Sequence, residues 1–154
     1  MALVHEKLYQ TDNLAELDFA EYATGLLQYL WSAHGAATEK VRLNLSLAPL
    51  ILPVDLAVHC GLILNELITN AFKHAFPGGR EGEVSVALEH DPTGAVCLRV
   101  HDNGVGLPVD FDWRQSSSLG LRLVQMLAGR MRGIVQTGPG TEFRVNFKVK
   151  GHPS

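Results

Sequence analysis

Three stretches of the chain place apolar residues at intervals of three and four positions, which is the period of an amphipathic helix. They run from Phe19 to His34, from just after Pro53 to about Phe76, and from Leu119 past Leu127. Gly35 follows the first stretch and Pro77-Gly78-Gly79 follows the second, where residues that end helices are expected. The pattern therefore predicts three helices.

Apolar and polar residues alternate in five shorter stretches, as they do in half-buried strands. The stretches are Val41 to Leu47, Glu83 to Glu89, Val96 to His101, Ile134 to Thr137 and Glu142 to Val149. Asp91-Pro92-Thr93-Gly94 separates the second from the third and suits a tight turn, so these two strands should form a hairpin. Together the elements predict an α/β fold, a two-layer sandwich in which helices cover one face of a mixed sheet.

Length and composition indicate one globular domain. The chain has 154 residues, of which 46% are apolar and 19% charged. A formal net charge of −3, with scattered Lys and Arg, gives no reason to expect nucleic acid as a partner. The most apolar stretch, Leu43 to Leu64, is interrupted by prolines and an aspartate, so we expect no membrane span in this segment. The first residues lack the features of a secretory signal, and we expect a cytoplasmic location.

Cys60 and Cys97 are the two cysteines of the chain. They form no CxxC pair and have only the adjacent His59 nearby, so neither a disulfide framework nor a metal site built on cysteines is expected. We expect both to pack in the core.

One face of the second predicted helix carries Glu66, Asn70, Lys73 and His74, because successive helical residues advance by about 100°. A polar stripe of this kind is equally consistent with a solvated surface and with a functional site.

Asp102 directly follows an apolar strand and precedes Gly104 and Gly106. A buried carboxylate at a strand end needs a hydrogen-bond donor, and glycines let the backbone approach a flat ligand closely. Asp-Asn-Gly is also an ordinary turn sequence, so this motif has two interpretations when it is considered alone.

Backbone N–H groups at the start of the third predicted helix form a possible anion site. They belong to a segment that includes Ser118, Gly120 and Leu121. A glycine at a helix start is weak evidence when no other feature supports it.

The order of these motifs is much more specific than any one of them. NELITNAFKH is followed by the hairpin, DNGVGLP, SLGLRLV and GPGTEF. This order resembles the ATPase and kinase superfamily that includes gyrase, Hsp90, MutL and the histidine kinases. NELITNAFKHAFP resembles, within it, the ATP-binding catalytic domain of bacterial sensor histidine kinases. The resemblance implies the Bergerat ATP-binding fold, a mixed, mostly antiparallel sheet covered on one face by three helices. No GxxxxGK[ST] loop occurs, so a Walker-type phosphate cradle is not expected.

The resemblance implies ATP and Mg²⁺ as ligands and assigns residues to each. Asp102 would accept a hydrogen bond from the adenine amino group, with Gly104 and Gly106 leaving space beside the base. Thr141 matches a threonine that joins the same adenine network through water. Asn70 matches the magnesium ligand, since its side-chain oxygen is a hard donor.

The remaining site residues are assigned to the phosphates and to the transfer step. Glu66 could orient the attacking group or accept its proton. Lys73 and His74 match positions of phosphate contacts, and we do not expect His74 to be the phosphorylated residue. Backbone N–H groups near the lid would also bind phosphate, from Ser118, Gly120 and Leu121. Many relatives have a glycine where Ser118 stands, so this chain departs from the family there.

The resemblance divides the chain into residues 1–16, a remnant of the dimerisation helix and linker, and residues 17–150, the catalytic domain. Residues 1–9 resemble a segment that lies downstream of the phosphate-accepting histidine, so we expect that histidine outside this chain. The implied activity is that of a protein histidine kinase. It would transfer the γ-phosphoryl group of Mg-ATP to a histidine of the dimerisation domain, which would pass it to the receiver domain of a response regulator.

The sequence is also compatible with two alternative functions. One is an ATP-binding regulatory module resembling the anti-sigma serine kinases, which share the fold. The other is a phosphotransfer adaptor that has lost the nucleotide, although Asp102, Asn70 and the glycines would then be unexplained.

Overall fold

A computed structural model describes residues 16–34, 40–76, 80–105, 119–138 and 141–149. These ranges contain three helices, namely α1 (Phe19–Ala33), α2 (Val54–His74) and α3 (Leu119–Arg130). They also contain seven strands, namely β1 (Glu16–Asp18), β2 (Val41–Leu47), β3 (Ile51–Pro53), β4 (Gly82–His90), β5 (Ala95–Asp102), β6 (Ile134–Gly138) and β7 (Thr141–Lys148). The three predicted helices and five predicted strands are confirmed, with ends close to those expected. None of the helices in these ranges has the length and apolarity needed to cross a bilayer.

The main sheet has five strands in the order β2-β4-β5-β7-β6. β2 pairs with β4 in parallel, whereas the other three pairs are antiparallel. The predicted hairpin is therefore the β4–β5 pair, in which Val86 lies opposite Val100. This topology confirms a mixed, mostly antiparallel sheet.

Alternate residues of the central strands are buried, and they belong to the same hydrophobic core as the inner faces of the helices. Leu98 and Val145 are fully buried on the sheet, as are Ile63 and Ile68 on α2. Residues at the intervening strand positions are half-buried or exposed, because they lie on the opposite face of the sheet. The arrangement is the two-layer α/β sandwich expected from the sequence.

The two cysteines lie in different surroundings, one on a helix within the core and one on the outer face of the sheet. Cys60 is buried within α2, with its Sγ 3.9 Å from Met131 Sδ. Cys97 is half-buried and lies between the buried Val96 and Leu98, so it belongs to the outer face of β5. The prediction of core packing is right for Cys60 and wrong for Cys97, because strand residues alternate between faces.

A second, two-stranded antiparallel sheet of β1 and β3 was not anticipated from the sequence. Leu17 lies opposite Leu52 in this ribbon, and both side chains are buried. The Phe19 N–H donates to the Leu50 carbonyl at 2.8 Å, and the Asp18 carboxylate caps α1 by accepting from Glu21 N. The ribbon thus fixes the start of α1 beside the start of β3, the strand that leads into α2. Residues 1–15, which the resemblance assigns to the dimerisation helix and linker, lie outside the described residues.

Candidate functional site

Asp102 ends β5 and is the one charged side chain of the described ranges that is buried, with 6% of its surface exposed. Burial raises the pKa of its carboxyl above the ordinary value. The Gly104 N–H donates to Asp102 Oδ1 at 3.0 Å and opposes that rise, as do the nearby His101 and Thr141 side chains. A carboxylate has about four acceptor positions, so this one keeps capacity for a ligand donor. The expected buried carboxylate at a strand end is present.

Thr141 lies directly opposite Asp102 in the pairing of β5 with β7. Its Oγ1 is buried and has no hydrogen-bond partner among the residues that the structure describes. The hydroxyl is near enough to the Asp102 carboxylate to lower its pKa, but it does not meet the geometry of a hydrogen bond. A buried hydroxyl without a partner is unfavourable, and a bound ligand or a bridging water would satisfy it.

The turn after Asp102 packs against the end of α2. The Val105 N–H donates to the Ala75 carbonyl at 2.9 Å. A Cβ at Gly104 would overlap the carbonyl oxygen and the Cβ of Ala75, so only glycine fits there without a shift. Gly104 therefore has a packing reason in addition to the space beside a base that the sequence suggested for it. The contact places the Asp102 carboxylate at the same end of α2 as the polar stripe.

Glu66 and Asn70 of α2 meet the start of α3. A Cβ built on Gly120 would lie 2.7 Å from Glu66 Oε2 and 3.8 Å from Asn70 Nδ2. Both polar side chains are half-buried. The first N–H groups of a helix carry partial positive charge and favour anions, so this junction suits a phosphate. The structure thus brings Gly120 next to Glu66 and Asn70, although it lies about 50 residues further along the chain.

For the other predicted site residues, the structure shows fewer contacts with Asp102, Glu66 or Asn70, or does not describe the side chain. Lys73 is exposed on α2, one turn after Asn70 and on the same side. Leu121 is buried, so only its backbone is available for a phosphate contact. The side chain of His74, which ends α2, lies outside the described parts of the chain, as do Gly106, Ser118 and the loop between them. Contacts from those residues stay predictions.

The side chains of this region fit a magnesium site in which phosphate oxygens of the nucleotide supply part of the coordination shell. No group of three His, Cys, Asp or Glu side chains within the described ranges could hold a metal by itself. Mg²⁺ commonly takes one or two protein oxygens and completes its shell with water and phosphate oxygens. Asn70, whose half-buried side chain lies near the start of α3, would supply one such oxygen from its carboxamide.

Asn103 makes a pair of contacts that sequence reasoning missed. Its backbone N–H donates to the Glu83 carbonyl at 3.2 Å, and its Oδ1 accepts from Glu83 N at 2.7 Å. The sequence offers no signal for this pairing, because an asparagine before a glycine is typical of a turn and the partner strand is distant in the chain.

The chain is similar to sensor kinases in sequence. It is 31% identical over 112 residues to the blue-light-activated histidine kinase 2 of Erythrobacter litoralis, which covers 71% of this chain and 32% of that protein. It is 38% identical over 78 residues to the sensor histidine kinase PdtaS of Mycobacterium tuberculosis, covering 50% of this chain and 15% of that protein. The chain thus spans a third or less of the length of these curated relatives.

The fold is also shared with solved structures. The histidine kinase domain of the Erythrobacter litoralis EL346 blue-light-activated histidine kinase aligns with a TM-score of 0.77 at 24% identity, over 95% of this chain and 70% of that one. A family model described as histidine kinase matches residues 1–34. A second, described as histidine kinase-, DNA gyrase B- and HSP90-like ATPase, matches residues 56–151, which is more than half of the chain. The chain therefore belongs to the family of histidine kinase-, DNA gyrase B- and HSP90-like ATPases.

Proposed function

We propose that this chain is the ATP-binding catalytic part of a protein histidine kinase. It binds Mg-ATP and donates the γ-phosphoryl group to a histidine of the parent protein's dimerisation domain. The observation that carries the proposal is the buried Asp102 carboxylate and, directly opposite it, the Thr141 hydroxyl, which has no hydrogen-bond partner within the described ranges. A buried charge and an unsatisfied hydroxyl are costly unless a ligand uses them.

The pair formed by Asp102 and Thr141 suits the edge of adenine. The exocyclic amino group of adenine donates hydrogen bonds, and a carboxylate only accepts them. Guanine has a carbonyl oxygen at the corresponding position, which the Asp102 carboxylate would repel. The Thr141 hydroxyl both donates and accepts, so it can bond the ring directly or through one water. The pair therefore selects adenine nucleotides over guanine nucleotides.

Charge compensation at the other end of the nucleotide comes from α2 and α3. The N-terminus of α3 and the exposed Lys73 provide positive potential for the phosphates. Asn70 would hold Mg²⁺, which when bound neutralises the charge that develops on the transferred phosphoryl group. Glu66, whose carboxylate lies beside Gly120, would orient the incoming imidazole or accept its proton.

The partners follow from this chemistry. A phosphorylated histidine is a donor for an aspartate, so the next protein in the relay is the receiver domain of a response regulator. We place this segment in the cytoplasm, where ATP is supplied.

The relatives named as sensor histidine kinases favour this function over the regulatory module that resembles anti-sigma serine kinases. The buried Asp102 carboxylate argues against an adaptor without nucleotide, because burial of the charge would then destabilise the fold without contributing to ligand binding.

The test is titration of the 154-residue chain with ATP in the presence of magnesium. We expect binding with a Kd between micromolar and millimolar and much weaker binding of GTP. Asp102→Ala should weaken ATP binding by about ten- to a hundredfold, the scale of one hydrogen bond to a charged group. Asp55→Ala, at the exposed start of α2, is the matched control and should bind as the wild type does. Absence of binding at millimolar ATP, or unchanged affinity in Asp102→Ala, would contradict the proposal.

A further inference from the structure

Asn103 joins the end of β5 to the start of β4 in a way that an ordinary turn residue does not. Two hydrogen bonds connect it to the Glu83 backbone, one from its own N–H and one to its side-chain oxygen. The side chain thus supplies the acceptor that a further strand residue would have supplied with its carbonyl. The last residue before this bond, Asp102, is paired with Val84 in the β4–β5 register.

The corner around Asn103 is closely packed. A Cβ on Gly82 would overlap the Phe76 ring and would lie 2.8 Å from Asn103 Oδ1. Phe76 is buried and follows Ala75, whose carbonyl accepts from the Val105 N–H. The Asp-Asn-Gly turn is therefore held on one side by β4 through Asn103 and on the other by α2 through Ala75.

We propose that Asn103 is a positioning residue for the Asp102 carboxylate, an inference that rests on the proposed function. A hydrogen bond to adenine weakens steeply when donor and acceptor lose alignment, so the direction of the carboxylate matters. Strand ends open locally when few bonds hold them. The Asn103 carboxamide removes that freedom on the β4 side and keeps the carboxylate aimed at the base. Asn103 itself makes no contact with the nucleotide in this assignment.

The amide oxygen is the group that the position requires. The substitution Asn103→Asp would keep an acceptor in the same place, whereas alanine has none and glutamine carries its oxygen one methylene further out. The side chain at position 103 is exposed, so these substitutions remove no core packing. Folded variants are therefore expected in each case, as thermal melting would verify.

The experiment is a double-mutant cycle for Mg-ATP affinity with the 154-residue chain. Asn103→Ala in the wild-type background should weaken ATP binding by about five- to tenfold, the effect of one net hydrogen bond. The same substitution in the Asp102→Ala background should change affinity by less than about twofold, because the group that it positions is gone. Asn103→Asp should recover most of the lost affinity, and Asn103→Gln should behave as alanine does.

Three results would overturn the inference while leaving the proposed function in place. They are wild-type affinity in Asn103→Ala, an equal loss of affinity in both backgrounds, and no recovery with aspartate. If Asn103→Ala does not fold, Asn103→Gln replaces it in the cycle. Failure of the wild-type chain to bind ATP, or of Asp102→Ala to weaken binding, would instead reject the function itself and with it this inference.

Discussion

Gly120, at the start of α3, lies against the carboxylate of Glu66 on α2. A side-chain carbon at position 120 would stand 2.7 Å from Glu66 Oε2, closer than two such atoms approach without a shift. The proposed acid–base residue and the proposed phosphate-binding helix end are therefore positioned by the same contact. A carboxylate near the N-terminus of a helix is electrostatically favourable, which helps to hold Glu66 there.

Gly120→Ala should displace Glu66 and the start of α3 from each other. The atom that the added Cβ meets is the end of a flexible side chain, so the shift costs little folding free energy, but the displaced Glu66 carboxylate should lower Mg-ATP affinity by about two- to fivefold. Gly129→Ala is the matched control in the same helix, because a Cβ there meets nothing within 4 Å. The control should bind ATP normally and gain up to about 1 kcal/mol in unfolding free energy. Equal ATP affinity in the two variants, measured by titration calorimetry, would show that the contact is not important.

Asn70→Asp tests the assignment of the magnesium ligand. The substitution keeps an oxygen donor but adds a negative charge beside the phosphates, so the coordination of the ion changes. We expect phosphoryl transfer by the parent kinase to fall by about tenfold or more, the scale seen when metal ligation is perturbed. ATP affinity in EDTA should change much less than this. Normal transfer by the variant in a radiolabelled phosphate assay would be inconsistent with a role in metal binding.

Asp102→Asn should change how stability depends on pH. Burial raises the pKa of the Asp102 carboxyl in the folded state, so its favourable contribution is complete only below the unfolded pKa of about 3.9. That contribution is lost as pH rises through the folded pKa. Asparagine stays neutral and can still accept the Gly104 hydrogen bond.

Without nucleotide, Asp102→Asn should therefore melt at a higher temperature than the wild type at pH 7. The difference should shrink as the pH falls toward about 4, near the ordinary carboxyl pKa. Thermal melts of both proteins between about pH 4 and 8 would measure it. A difference that does not vary with pH would mean that ionisation of Asp102 is not its cause.

The two thiols should differ in reactivity. Burial raises the pKa of Cys60 to about 12 and also raises that of Cys97, which is only half-buried. The thiolate is the reactive form, so a thiol reagent at about pH 8 should modify Cys97 first and reach Cys60 only on unfolding. Cys97→Ser should abolish the native-state reaction. Rapid modification of Cys60 in that variant would contradict the packing of α2 against Met131.

Much of the fold could be predicted because its elements carry strong local signals. α2 is long, periodic and bounded by prolines, and no competing interpretation fits its pattern. The β4–β5 hairpin was predicted from two alternating stretches around a turn with Asp91 and Gly94. The β1–β3 ribbon was missed because each strand has three residues, too few for a period to be recognised, and their pairing is not local.

The candidate site could be predicted only in part. Its residue types and their order along the chain were visible in the sequence, but their mutual positions depend on register and on helix–sheet contacts. The position of Thr141 opposite Asp102 follows from the alignment of β5 with β7, which no local pattern specifies. The close contact of Gly104 with Ala75 could not be predicted either, because a glycine can precede a loop for many different structural reasons.

The β1–β3 ribbon also connects the backbone at residue 16 with the segment that leads into α2. Glu16 pairs with Pro53, the residue directly before α2, so the two backbones are linked across the ribbon. We therefore expect a displacement of the backbone at residue 16 to reach the segment before α2 across the ribbon, as well as α1 along the chain. Glu66 and Asn70 lie further along α2, so such a displacement would move the helix that carries both residues.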